Sequence, residues 1–178
     1  MEVAGEAISD EAYAEIDALI ESGMDVVDKG GYDEGIQRYR RALSLIPPPA
    51  DRFELYPYLM TLLGDAYFML ANYAQAEKCL LRALMNDYHA NAMTTLRMGQ
   101  VAFELGKREA SMRFLVNAYM LKGADIFADE DPKYWEFAKG RVAELSSGQT
   151  WTEDDMISSA VRSIKENAPA LAEQGWSP

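Results

Sequence analysis

The feature that most constrains this chain is a pair of small residues that recurs three times at one spacing. The same interval of 19 positions separates three glycine–alanine pairs, which are Gly23 and Ala42, Gly64 and Ala83, and Gly99 and Ala118. Three positions before each alanine stands a large residue, which is Tyr39, Leu80 or Leu115. Apolar residues between the paired positions recur at spacings of three and four, as an amphipathic helix requires. Small residues on such stripes let two helix backbones approach closely, so each interval predicts two helices folded back on each other.

Turn and cap residues place the ends of these helices. Ser9 is the predicted N-cap of the first helix, and Gly30-Gly31 is a typical helix end. Gly106 and Gly123 are expected to end two later helices, and Asp131-Pro132 to begin another. Asp51 and Glu54 resemble a capping box for the helix that ends near Leu70. Pro57 leaves two alternatives there, since it either kinks that helix or separates a short turn from it.

The helix–turn–helix unit with Gly, Tyr and Ala at fixed offsets resembles the tetratricopeptide repeat, a unit of about 34 residues. The resemblance implies an all-α fold, a solenoid of antiparallel helix pairs with C-terminal capping helices. We expect a single domain over residues 1–178. Its parts are a first repeat at 9–46, a second at 51–86, a third at 91–122, a degenerate fourth repeat or capping helices at 131–166, and a flexible tail at 167–178.

Charge and cysteine content narrow the classes of function. The net charge is −12, and residues 1–35 carry 11 acidic side chains against one base, Lys29. Such an acidic chain disfavours nucleic-acid binding and favours a basic partner. The N-terminus is acidic where a signal peptide would be basic, and no apolar run is long enough for a membrane span. Cys79 is the only cysteine. We therefore expect a cytoplasmic protein without a membrane partner.

Residues for catalysis or metal binding are scarce. The single histidine, His89, lies in a predicted loop. The acidic runs at 129–131 and 153–155 precede predicted helices, where negative charge is favoured by the helix dipole. No phosphate-binding loop, metal-type Cys/His spacing or nucleophile motif is present. We expect no enzyme activity, no cofactor and no metal.

Stacked tetratricopeptide repeats line a concave surface with the first helix of each pair, and this surface is their usual partner site. In the register set by the glycines, it would carry acidic, aromatic and methionine side chains. The predicted partner-binding residues are Asp17, Ile20, Glu21, Met24, Asp28, Tyr58, Thr61, Asp65, Met69, Met93, Arg97, Gln100 and Glu104. Tetratricopeptide co-chaperones grip a carboxylate with basic residues and asparagine at these positions. Only Arg97 keeps such a charge here, so that activity is disfavoured.

The runs Gly64-Asp65-Ala66-Tyr67-Phe68 and Ile126-Phe127-Ala128-Asp129-Glu130-Asp131-Pro132 resemble a group of small bacterial tetratricopeptide proteins over about residues 12–140. That group accompanies contact-delivered toxins, and its members act as immunity proteins. The resemblance implies that this chain binds and neutralises a cognate toxin, which its acidity would suit if the toxin domain were basic. The alternative is a chaperone or adaptor for a secreted or assembling protein, and a regulator of a host enzyme comes third. Oligomeric state is left open.

Overall fold

The computed structural model describes residues 7–86, 91–146 and 162, and within these ranges the regular structure is entirely helical. Seven α-helices follow one another between residues 10 and 146. They are α1 (Asp10–Val27), α2 (Tyr32–Ser44), α3 (Leu55–Met69), α4 (Tyr73–Asn86), α5 (Ala92–Glu104), α6 (Arg108–Lys122) and α7 (Pro132–Ser146). Two short 3-10 helices lie at Ala50–Arg52 and Ala124–Phe127. The all-α prediction is confirmed.

The chain divides into two compact units, of which unit 1 contains α1–α4 and unit 2 contains α5–α7. In unit 1, α1 pairs with α2, α3 pairs with α4, and α2 packs against α3. In unit 2, α5 pairs with α6, and α6 packs against α7 and the Ala124–Phe127 turn. Each unit is therefore built on helix hairpins, as the three glycine–alanine intervals predict.

The recurrent glycines lie where two helices of a pair come closest. A Cβ atom added to Gly23 would stand 2.5 Å from Tyr39 Cε1, and one added to Gly64 would stand 2.5 Å from Leu80 Cγ. At Gly99 the added atom would be 2.8 Å from Leu115 Cδ2. Only glycine admits these contacts, because real Cβ atoms do not come so close to another side chain. The three glycines thus share one structural setting, sixteen residues before the side chain that covers each.

Long-range contacts show that the paired helices run antiparallel. In the first pair, Arg41 of α2 forms an ion pair with Glu15 near the start of α1, with an N–O distance of 3.3 Å. Arg38, one turn earlier in α2, donates from Nη1 to the Ser22 carbonyl further along α1, at 2.5 Å. In the third pair, Arg108 at the start of α6 lies 4.5 Å above the ring of Phe103 at the end of α5.

The core of unit 1 is apolar and close to fully buried. Its members include Ile16, Tyr39, Leu59, Met60 and Leu63, all at most 1% exposed. Burial of one such Leu or Met side chain contributes about 1.5–3 kcal/mol. Cys79 belongs to the same core, and burial raises the pKa of its thiol to about 12. The thiol is therefore protonated and shielded at physiological pH.

Most predicted helix ends are confirmed. The Ser9 hydroxyl accepts from the Ala12 amide at 3.2 Å, and Gly30, Gly106 and Gly123 adopt positive φ. Asp131 accepts from the Lys133 amide at 3.0 Å and so caps α7. The prediction for residues 51–54 is wrong, because Glu54 makes no side-chain capping bond and α3 begins at Leu55.

The alternatives at Pro57 are also decided. A separate 3-10 turn over Ala50–Arg52 precedes α3, and Pro57 occupies the first turn of that helix. Amides in a first turn have no partner within the helix, so proline costs little there. The helix predicted after Gly148 lies outside the described residues, apart from Arg162.

Candidate functional site

The thirteen predicted partner-binding residues have three different fates in the structure. Seven are exposed, namely Asp17, Glu21, Met24, Asp28, Tyr58, Met69 and Met93. Four are partly exposed, namely Thr61, Asp65, Arg97 and Glu104. Ile20 and Gln100 are buried.

The two buried residues are corrections to the predicted surface. Ile20 follows Ile16 by one helical turn and therefore points to the same side, where both join the core cluster of unit 1. Gln100 is 0% exposed, and its amide is used inside unit 2. It donates from Nε2 to Glu130 Oε2 at 2.8 Å and accepts from Arg97 Nη1 at 2.6 Å.

Unit 2 uses the predicted α5 residues to hold the segment that precedes α7. Arg97 reaches Glu130 Oε2 at 3.3 Å, and the two side chains are 15% and 17% exposed. Together with Gln100, Arg97 encloses the Glu130 carboxylate. The acceptor is thus an internal side chain, 33 residues from Arg97 in the chain.

Glu104 takes part in a second internal group at the start of α7. Tyr134 donates its hydroxyl to Glu104 Oε1 at 2.7 Å, and Lys133 Nζ lies 2.8 Å from the same oxygen. Burial raises the pKa of Glu104, but these two hydrogen bonds outweigh it, and the pKa falls below the ordinary value of 4.5. The hydrogen bond to Glu104 raises the pKa of Lys133. Both groups are therefore charged at neutral pH.

Unit 1 presents most of the predicted residues of its first helices to solvent, with Ile20 buried and Thr61 and Asp65 partly exposed. We define the acidic face as Tyr13, Asp17, Glu21 and Met24 of α1, the α1 C-cap residue Asp28, and Tyr58, Asp65 and Met69 of α3. Within the described part of the chain, Asp17, Glu21 and Asp28 form no ion pair. Met24 is 41% exposed and Tyr58 46%, and the Tyr58 hydroxyl lies 3.7 Å from Met24 Sδ. This contact joins the stripes of the two helices into one surface.

Tyr39 of α2 lies beneath the acidic face. Its side chain is 1% exposed and packs against Gly23, the residue before Met24. Burial, together with the nearby charges of Tyr58, Asp28 and Asp65, raises the pKa of Tyr39 to about 12. The phenol of Tyr39 therefore interacts electrostatically with Asp28 at the end of α1 and with Asp65 of α3.

The sequence prediction missed two kinds of residue. Glu130, Lys133 and Tyr134, which engage α5 in unit 2, come from a segment with no part in the glycine register. Tyr13 is an exposed member of the acidic face, and its place four residues before Asp17 was the available signal.

A cleft of about 460 Å³ lies elsewhere in unit 1. It is lined by Leu43, Ser44, Ile46, Pro48, Ala50, Asp51, Tyr56 and Arg82. Arg82 donates from Nη1 to the Tyr56 hydroxyl at 3.3 Å. None of the predicted partner-binding residues borders this cleft.

The parts of the chain that the structure covers contain neither a metal-binding cluster nor a membrane-spanning helix. No group of three or more His, Cys, Asp or Glu side chains there could hold a metal ion. None of the helices described combines the length and apolarity that crossing a bilayer would need.

Comparison with solved structures identifies the fold as that of tetratricopeptide repeat domains. The crystal structure of the Sgt2 TPR domain from Aspergillus fumigatus is similar, with a TM-score of 0.57 and 19% sequence identity over 82% of this chain and 88% of that one. At this identity the likeness shows the fold alone. The NMR structure of the first TPR domain of the human RPAP3 protein has a TM-score of 0.49 at 20% identity, over 90% of this chain and 98% of that one. The sequence matches no protein-family model and no curated protein.

Proposed function

We propose that this chain is a non-catalytic protein-binding module that engages a basic partner through the acidic face. The observation that carries the proposal is the exposure of Asp17, Glu21 and Asp28 without a basic side chain against them in the described residues. Carboxylates of this kind attract a basic protein over distance and raise its rate of association.

The positions of these acids support a binding role, because negative charges at these positions do not stabilise α1. Asp17, Glu21 and Asp25 follow one another at intervals of four, and like charges at that spacing destabilise a helix. Asp25 and Asp28 lie at the C-terminal end of α1, where the helix dipole disfavours negative charge, and its last turn contains no base. Residues that are unfavourable for the local structure, with no compensating contact, are expected at functional sites.

The apolar members of the acidic face supply contact area. Met24, Tyr58 and Met69 are each more than 40% exposed. Tyrosine is enriched among the residues that dominate binding energy, and methionine adapts to irregular surfaces. A surface that combines such residues with carboxylates suits a partner with both basic and apolar side chains.

The more specific proposal is an immunity protein that neutralises a cognate toxin by covering a basic domain of it. The exposed carboxylates of the acidic face support this role, which the resemblance of residues 12–140 to a group of small bacterial tetratricopeptide proteins suggests. In this mechanism the chain performs no chemistry. It blocks the toxin because the carboxylates that attract a basic toxin domain also hold it in contact with the acidic face.

Co-expression tests this proposal. We expect a neighbouring gene to encode a protein that is lethal alone and harmless with this chain. Asp17→Lys with Glu21→Lys should abolish protection, because it reverses two charges of the acidic face. Asp125→Lys with Asp129→Lys makes the same change of net charge on unit 2 and should leave protection intact. A non-toxic partner whose level falls without this chain would instead identify a chaperone.

A further inference from the structure

In the helices of unit 1, the basic side chains lie on the second helix of each pair. The first helices, α1 and α3, contain seven acids and no Lys or Arg. The bases lie on the second helices, at Arg38, Arg40 and Arg41 of α2 and at Lys78 and Arg82 of α4. A ligand approaching α1 therefore meets negative charge without a basic residue of the same helix beside it.

The acidic face has one corner where aromatic, thioether and carboxylate groups meet. Tyr58 contacts Met24 through its hydroxyl, and Tyr39 lies buried under the adjacent Gly23. Asp28 follows Met24 by one turn of α1, so both side chains lie on the same stripe. This corner thus draws Met24, Tyr39 and Tyr58 from three helices and Asp28 from the C-cap of α1.

The chemistry of this corner selects a long side chain with a positive end. Met24 and the Tyr58 ring can pack along an alkyl chain, and the face of a tyrosine ring attracts a cation. Asp28 supplies a carboxylate, and the C-terminal end of α1 adds the negative end of its dipole. A phosphate or carboxylate would be repelled by the same groups.

The spacing of the remaining acids indicates how such a partner would run. Asp17, Glu21, Met24 and Asp28 fall at relative positions 0, 4, 7 and 11, which form one stripe of a helix. From Asp17 to Glu21 the rise is about 6 Å, and from Glu21 to Asp28 it is about 10 Å. A second helix alongside α1 would match all four if it carried basic residues opposite the acids and an apolar residue opposite Met24.

We propose that the acidic face binds a basic amphipathic helix of the partner, with one lysine or arginine side chain anchored at the corner formed by Met24, Asp28, Tyr39 and Tyr58. This inference rests on the proposed function and adds the form of the partner and its anchor point. Binding by an amphipathic helix laid along a surface is a common mode of recognition.

The test uses the full chain and a labelled helical peptide rich in alanine. In the peptide sequence, lysines occupy positions 1, 5 and 12 and leucine occupies position 8, so that all four lie on one stripe of the helix. A control peptide has the same composition, with its lysines spread around the helix. Fluorescence anisotropy at low salt should show the striped peptide binding about tenfold more tightly than the control. Equal affinity of the two peptides would overturn the proposed helix.

Two matched variants test the anchor. Asp28→Asn should weaken binding of the striped peptide about five- to tenfold, whereas Asp25→Asn, with the same charge change near the same end of α1, should weaken it less than twofold. Equal effects would overturn the anchor. Because Asp28 is exposed, the Asp28→Asn variant should unfold at the same urea concentration as the wild type. An unchanged midpoint distinguishes a loss of binding from a loss of folding. If the striped peptide fails but Asp17→Lys with Glu21→Lys still abolishes toxin protection, this inference falls and the proposed function stands. If neither shows an effect, both fall.

Discussion

The first helix of unit 1 and the first helix of unit 2 share one register but use it differently. Relative to Gly23 and Gly99, Glu21 of α1 corresponds to Arg97 of α5, and Asp28 corresponds to Glu104. The residues of α1 are exposed, whereas those of α5 are engaged by the segment that leads into α7. In unit 2, the segment before α7 brings charged side chains to these positions, and the residues there form internal ion pairs. In unit 1, the corresponding residues are exposed to solvent.

This difference separates charges that serve folding from charges that do not. In unit 2, Arg97, Gln100 and Glu130 satisfy one another in a partly buried setting, where hydrogen bonds to charged groups contribute most. In unit 1, Asp17, Glu21 and Asp25 of α1 face solvent and repel one another. Charges of the second kind are the better indicator of a binding surface. The four predictions that follow test this contrast, from the largest expected effect to the smallest.

Removal of Glu130 should produce the largest loss of stability. Glu130→Ala leaves the Arg97 guanidinium and the Gln100 amide without their shared acceptor. We expect unfolding in urea to show a loss of about 2–4 kcal/mol, slightly below the range for fully buried pairs because about one sixth of each charged side chain is exposed. Asp28→Ala in unit 1 is the matched control and should change stability by less than about 0.5 kcal/mol. Similar losses for the two variants would remove the contrast.

A comparison of glycines should produce the next largest effect. Gly64→Ala would place a methyl group 2.5 Å from the buried Leu80 Cγ, and such overpacking costs about 1–3 kcal/mol. The better helix propensity of alanine offsets up to about 1 kcal/mol of that cost. A Cβ atom added at Gly140 would meet no described atom within 4 Å beyond its own stretch of helix, so Gly140→Ala should raise stability by up to about 1 kcal/mol. Thermal unfolding of both variants measures these opposite signs, and a stabilised Gly64→Ala would contradict the close approach of α3 and α4.

Titration of Glu104 should produce a smaller effect that depends on pH. Its pKa in the folded protein is below the ordinary value of 4.5, so the carboxylate stabilises the fold above about pH 4.5 and this contribution is lost as the pH falls through the lowered pKa. The free energy of unfolding of the wild type should exceed that of Glu104→Gln by about 1–2 kcal/mol at pH 7, and the difference should shrink toward pH 3. Urea unfolding across that range measures it. A difference independent of pH would show that Lys133 and Tyr134 do not depend on the charge of Glu104.

Neutralising an acid of unit 1 should produce the smallest effect, and of the opposite sign. Glu21→Gln removes like-charge repulsion with Asp17 and with Asp25, each worth about 0.2–0.5 kcal/mol. We therefore expect a slightly higher melting temperature at low salt and no difference at high salt, where the repulsion is screened. A destabilised variant would show that Glu21 serves folding after all.

Much of the fold was predictable because it depends on local rules. The glycine–alanine interval identified the paired helices, and Ser9 and Asp131 identified two helix starts through their capping oxygens. The sequence does not decide the conformation at Pro57, because a kinked helix and a separate turn both tolerate a residue without an amide hydrogen. The structure decides in favour of the separate turn.

The candidate site was less predictable because it depends on contacts between distant residues. Helical periodicity placed Gln100 and Glu104 on the first-helix face, but it carries no information on Glu130 or Tyr134, which lie 30 residues further along the chain. Ile20 was misplaced for a related reason. It belongs to the core cluster of unit 1 together with residues of α2 and α3, and the periodicity of α1 alone does not show which side of the helix that core covers.

The burial of Cys79 makes a thiol-directed reporter practical. Because the native thiol is shielded and protonated, maleimide dyes should react with a cysteine introduced at Met69 and leave Cys79 untouched. One fluorophore could then be placed beside Asp65 without removing the native cysteine, and its colour or lifetime would report the arrival of a partner.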